Sequence, residues 1–239
     1  MRLRRLAYPA CTAFLALGAA CSSTDPGGLP TAQVRLLNGS TQSPALDLIV
    51  GGQVVAQGVA TDQASSFGAA PSGSQTIVLR ASDAGNLLSS VSTTLVPGAR
   101  YTVVASGTGT SLTPSIASDT GAANPDRANI RIINVVDNPP DPADSSSFPP
   151  LLLVDVYVTA PGASIDGVAP ELSLEASWPR YTTLLYYDPG NWTVRFTTAG
   201  TKTVLAETGS IAIGAGQVRA IKLARTGSGG WTTAVVTEQ

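Results

Sequence analysis

Sixteen acidic side chains and not one histidine set the limits of the chemistry open to this chain of 239 residues. Without histidine the usual general base near neutral pH, the usual activator of serine or cysteine, and the commonest zinc ligand are all missing. Glu171 and Glu175, in PELSLEAS, are the close glutamates. On a strand they share a face about 13 Å apart, wider than either glycosidase geometry, so they read as a solvated edge. Asp137, Asp141 and Asp144 crowd one segment and offer oxygens to Ca²⁺. Prolines separate them and no D-x-D-x-D-G loop is present, so an acidic surface loop is the reading adopted and no metal is expected. No GxSxG, phosphate-binding glycine loop or dinucleotide fingerprint occurs. The expectation is a protein that is not an enzyme and needs no cofactor.

Aromatic residues offer a different chemistry. Trp178, Trp192 and Trp231 all fall late in the chain, with Tyr157, Tyr181, Tyr186 and Tyr187. Exposed, such a set suits sugar stacking or a protein interface. Trp178 (beside Pro179) and Tyr181, together with Asp137, Asp141 and Asp144, are the candidate ligand-binding residues. Trp192 continues the stripe of Val194 and Phe196 and belongs at a core margin.

The elements that hold these residues are strands. Val34 and Leu36 alternate with Gln33 and Arg35, and Trp192, Val194 and Phe196 alternate with Thr193 and Arg195. Period-two runs rich in Val, Ile, Thr and Tyr are half-buried strands. Turn signals separate them, among them Gly51-Gly52, Pro97-Gly98 and Pro189-Gly190. No sustained 3.6-residue apolar repeat follows the N-terminal segment.

The pattern is written twice. AQVRLLN (32–38) matches ANIRIIN (128–134), and ALDLIV (45–50) matches LVDVYV (153–158). SGSQTIVLR (72–80) parallels PGNWTVRF (189–196), and VPGARYTVVAS (96–106) parallels GAGQVRAIKLA (214–224). Four matches in one order imply duplication of a whole unit. The predicted fold is all-β: two tandem immunoglobulin-like antiparallel sandwiches of roughly seven strands each, over 32–122 and 128–239. The second carries a proline-rich insertion, DNPPDPADSSSFPP (137–150), whose prolines deny it ladder hydrogen bonds. One larger sandwich shared by both halves is the alternative architecture.

Each copy repeats an arginine and an aspartate, Arg35 with Asp47 and Arg131 with Asp155. If the first and second strands are neighbours, the two charges meet across them as structural pairs contributing about 0.2–1 kcal/mol. A repeated ligand site is the other reading. Asn38 and Asn134 end their strands and are expected to bond their own turns.

At the N-terminus, Arg2, Arg4 and Arg5 precede an apolar run too short to cross a bilayer as a helix. The stretch Leu17-Gly18-Ala19-Ala20-Cys21 resembles a bacterial lipobox, in which the cysteine is acylated and becomes the new N-terminus. That resemblance implies a signal over 1–20, lipidation at Cys21, and a tether over 21–31. Ordinary cleavage with an unmodified Cys21 is the alternative. Removal of the signal leaves a single cysteine, so no internal disulfide can form, and shifts the formal charge from −2 to −5. Scattered basic residues on an acidic chain argue against nucleic acid as a partner. Ser22, where retained lipoproteins carry Asp, favours the outer membrane.

The pattern A-x-[VI]-R-[LI]-[LI]-N, then [LV]-D-[LV]-x-V, then a P-G or S-G turn before a β-run, resembles the bacterial domain-of-unknown-function family 4397. The resemblance implies exported proteins, often lipid-anchored or wall-attached and often with tandem copies, and brings no established activity with it. The expected function is a non-enzymatic envelope lipoprotein, a structural or protein-interaction module whose partners are the membrane through its lipid and another envelope protein or a glycan. The alternative is a carbohydrate- or wall-binding module that uses the aromatics and insertion of the second copy.

Overall fold

A computed structural model describes residues 30–119, 121–135, 153–175, 180–182, 184–226 and 230–238. No helix occurs among them. The first half holds β1 (Thr31–Asn38), β2 (Leu46–Val50), β3 (Gln53–Val59), β4 (Gln63–Ala64), β5 (Gly68–Pro71), β6 (Gly73–Ala81), β7 (Leu87–Leu95), β8 (Arg100–Thr108) and β9 (Ser111–Ser118). The second holds β10 (Ala128–Asn134), β11 (Leu153–Thr159), β12 (Leu172–Glu175), β13 (Arg180–Tyr181), β14 (Leu185–Tyr187), β15 (Gly190–Thr198), β16 (Val204–Glu207), β17 (Ile211–Ile213), β18 (Val218–Arg225) and β19 (Trp231–Glu238).

Each half folds as two facing sheets. One sheet runs β4-β1-β8-β9 with β5 also on β1, and its counterpart runs β13-β10-β18-β19 with β14 on β10. The other runs β3-β2-β6-β7, matched by β12-β11-β15-β16 with β17 on β15. Registers agree as well: Arg35 faces Thr102 as Arg131 faces Ala220. The pairings β1/β8 and β10/β18 are parallel, a departure from the expected antiparallel sandwich. A first strand inserted beside the penultimate one has a long connection on which parallel pairing depends.

Alternation decides what lies between the sheets. Ala32, Val34 and Leu36 of β1 meet Leu46, Leu48, Val50, Ile77 and Leu79 of the facing sheet in one buried cluster. Ala128, Ile130 and Ile132 meet Val154, Val156, Val194 and Phe196 in the other. Val34 and Ile130 are thus in equivalent surroundings, each fully buried. Each large aliphatic side chain so buried contributes about 1.5–3 kcal/mol. The predicted turns hold their places: Val50 pairs with Gln53 across Gly51 and Gly52, both at positive φ (56° and 83°), the backbone of a two-residue hairpin.

Candidate functional site

The same alternation that sends Val34 and Leu36 inward sends Arg35 and Leu37 to the outer face of β1. On β10 it presents Arg131 and Ile133. These two outer faces lie against each other. Leu37 and Val104 of the first half form a buried cluster with Ile133, Val135, Ala220, Ala224 and Val236 of the second.

Beside that apolar contact sit four charges. Arg35 Nη2 lies 2.7 Å from Glu238 Oε2 and 3.1 Å from Asp119 Oδ2. Arg131 Nη2 lies 3.0 Å from Asp119 Oδ1, and its Nε is 3.3 Å from Glu238 Oε1. No member exposes more than 6% of its side chain. Asp119 follows β9 and bonds through its N–H to the Arg100 carbonyl. Glu238 faces Val218 on β18, and Arg100 and Val218 hold the same register in their sheets. Asp119 and Glu238 are therefore equivalent positions. Each arginine holds the acid of its own half and that of the other, an arrangement with the reciprocity of a two-fold dimer interface. Desolvating four charges costs several kcal/mol per ion, which mutual pairing offsets; removal of any one leaves an uncompensated buried charge.

The neighbours of the two arginines differ. Arg35 Nε donates to Thr102 Oγ1 at 2.9 Å, and its Nη2 donates to the Tyr181 hydroxyl at 2.6 Å. Its guanidinium lies 4.6 Å from the centre of the Phe67 ring. Burial works against the charge of Arg35, and Glu238, Tyr181 and Asp119 outweigh it, so its pKa is raised. Burial, with Glu238, pushes the Tyr181 hydroxyl well above the ordinary tyrosine value against the pull of Arg35 and Arg131. Arg131 stacks 4.1 Å over the Tyr181 ring and donates through Nη1 to the Thr182 carbonyl at 3.1 Å, but Ala220 stands where Thr102 does, and its Nε, though paired with Glu238, makes no well-directed hydrogen bond.

A cleft of about 510 Å³ opens over this cluster, walled by Phe67, Leu184 and Val218, with Arg100 and Arg219 also lining it. A second, of about 290 Å³, contains Asp62 and Lys222, whose ion pair also joins the halves; Lys222 Nζ lies 3.4 Å from the Ser40 carbonyl.

The expected pairs do not form. β1 and β2 belong to opposite sheets, and Arg35 and Asp47 point from opposite outer faces, with the whole core between them. Asp47 is held instead by Arg80 Nη2 at 2.7 Å, Ser82 Oγ at 2.5 Å and the Gly58 N–H at 3.1 Å. Burial pushes its carboxyl up, and these three bonds more than offset that, holding it below the usual aspartate value. Asp155, likewise apart from Arg131, accepts from Ser173 Oγ at 2.5 Å and the Gly200 N–H at 2.8 Å. Asn38 does bond within its turn, accepting from the Ser40 N–H, and it also reaches the end of β3, donating to the Val59 carbonyl.

Of the candidate ligand-binding residues, Tyr181 turns its hydroxyl into the charge cluster. Trp178, Asp137, Asp141, Asp144 and the lipidation residue Cys21 lie outside the described residues, as do the signal and the insertion. Trp192 packs at the margin of the second core, its ring 4.9 Å from that of Tyr187, while Tyr186 is 48% exposed. Glu171 is exposed ahead of β12. No group of three Cys, Asp or Glu side chains among the described residues is placed to hold a metal ion. Asp119 and Glu238 were missed from sequence; the signal that could have found them is their common register on strands whose sequences, SLTPSIAS and WTTAVVTE, share little but alternation.

The fold and site define an all-β sandwich protein whose described halves meet through a buried, charge-paired face. Residues 32–141 match the family described as domain of unknown function (DUF4397), a span that covers β1 to β9 and continues through β10. Among solved structures, a weak likeness exists to CBMbc, a family CBM26 module of Eubacterium rectale Amy13K crystallised with maltoheptaose. It has 13% identity and a TM-score of 0.27, covering 87% of this chain and 98% of that one. At that score the likeness carries no argument. No curated protein matches the chain.

Proposed function

We propose that this protein is a non-enzymatic envelope lipoprotein, exported and anchored through an acylated Cys21, in which a duplicated sandwich serves as a rigid structural or protein-interaction module. The observation that carries this reading is the reciprocal cluster of Arg35, Asp119, Arg131 and Glu238. Its charges are occupied by one another at the contact between halves, as suits a scaffold that must hold one shape. The basic n-region, the residues before Cys21 and the single cysteine left after cleavage support the anchor, and Ser22 supports the outer membrane. Mass spectrometry of the mature N-terminus tests it: an acylated Cys21 is expected, and an unmodified or internal N-terminus overturns the anchor. The scaffold half is tested separately by calorimetry, which should record one unfolding transition for both halves.

A second reading, carbohydrate or wall binding by the second half, is favoured by exposed Tyr186. Glycan-array and peptidoglycan retention, with Tyr186→Ala and Trp178→Ala as controls, addresses it. Absence of retention removes it.

A further inference from the structure

The chain is acidic overall, yet four of its fourteen basic residues line one cleft alongside two of its sixteen acids. Arg35 and Arg131 are neutralised by Asp119 and Glu238. Arg100 and Arg219 are not: neither forms an ion pair among the described residues. The Arg100 guanidinium stacks 3.9 Å over the Phe67 ring, and Arg219 donates to the Gln217 side chain at 3.2 Å and to the Val218 carbonyl at 3.1 Å. Both guanidinium groups are thus partly pre-positioned while keeping donors free, since each has five. Phe67, Leu184 and Val218 supply an apolar wall beside them.

We propose that this cleft between the halves binds a monoanionic carboxylate carried on an apolar group, with Arg100 and Arg219 holding the carboxylate and Phe67 and Leu184 flanking the apolar part. A guanidinium fork matches the two oxygens of a carboxylate. The acids of the floor, Asp119 and Glu238, repel anionic oxygens that reach past the two outer guanidinium groups, which favours a planar carboxylate over a tetrahedral phosphate or sulfate. The proposal deepens the interaction-module reading and rests on the two halves being one rigid unit, because Arg100 and Phe67 come from the first half and Arg219 and Leu184 from the second. A free organic acid and a polypeptide C-terminus share the chemistry.

The test is calorimetric titration of the full chain with benzoate and its neutral counterpart benzamide, with a tripeptide ending in phenylalanine and the same tripeptide as its amide, and with sulfate at matched ionic strength. Binding of benzoate or the free-acid peptide but not of either amide is expected, as is a loss of about tenfold or more in affinity on Arg100→Gln with Arg219→Gln, the worth of a charge-assisted hydrogen bond. Tighter binding of the peptide assigns the natural source to a protein terminus, and binding of benzoate alone to a small acid. Amides that bind as well as acids, sulfate that matches benzoate, an unchanged affinity in the double variant, or no heat from any carboxylate each overturn the proposal. Melting without a probe keeps the two readings apart: two separate transitions sink the rigid unit, while one intact transition with no carboxylate response sinks only the ligand.

Discussion

Arg35 and Arg131 stand at the same register of equivalent strands, each between the same two carboxylates, and yet they are held differently. Arg35 has an acceptor for its Nε in Thr102, and a tyrosine hydroxyl besides. Arg131 has an alanine at the first of these positions and the face of the same tyrosine ring in place of its hydroxyl. Two halves with one strand order therefore build one interface in which the roles differ: Arg35 bonds Thr102 and the Tyr181 hydroxyl lent by the second half, whereas Arg131 donates to the Thr182 carbonyl of its own half. The difference teaches that a reciprocal charge cluster tolerates unequal neighbours as long as the charges themselves balance.

The largest expected effect comes from removal of one of the arginines. Arg35→Met should destabilise the chain by about 3–5 kcal/mol, since two buried carboxylates then share one cation. Arg131→Met should cost less, because its Nε pairs with Glu238 without a well-directed hydrogen bond. Urea unfolding of both variants orders them, and equal losses would erase the contrast. A smaller effect is expected within the first half. Asp47→Asn should cost about 1–3 kcal/mol near neutral pH. The folded carboxyl of Asp47 sits below its ordinary value, so its contribution is present above that value and lost as pH falls through the lowered one. Arg80→Ala should weaken this acid sensitivity by taking away one of the three groups that hold Asp47; unfolding free energy followed from neutral to acid pH reads both.

Thr102→Ala should cost about 1–2 kcal/mol by leaving Arg35 Nε, like Arg131 Nε, without a well-directed hydrogen bond. In that background the two arginine variants should differ less than in the parent. The smallest change is Tyr181→Phe, which keeps the ring under Arg131 and removes only the hydroxyl that Arg35 bonds. About 1 kcal/mol is expected from thermal melts.

Much of this architecture was legible from alternation alone. Val34 and Leu36 against Gln33 and Arg35 announced a strand with one buried face, and the collinear segments gave the matching strand orders. Alternation cannot say which of two outer faces an outward residue occupies, because a sandwich has one on each side. That is why Arg35 and Asp47, both of which point away from the core, were expected to meet and do not. The partners that Arg35 does find, Asp119 and Glu238, lie 84 and 203 residues along the chain. Tyr181, singled out as a surface aromatic, is spent inside for the same reason: its position depends on a neighbouring sheet that local sequence does not register.

The parallel seat of β1 beside β8 has a consequence for how the molecule comes into being. A polypeptide made or threaded from its N-terminus presents β1 long before its parallel partner emerges, since Arg35 must wait for Thr102, 67 residues later. β4 and β5 cover one edge of β1 well before that, but its other edge stays open to wrong pairing until β8 is made, and contacts of such long separation are slow to form. The lock between halves closes only when Glu238, near the end of the described residues, has been made.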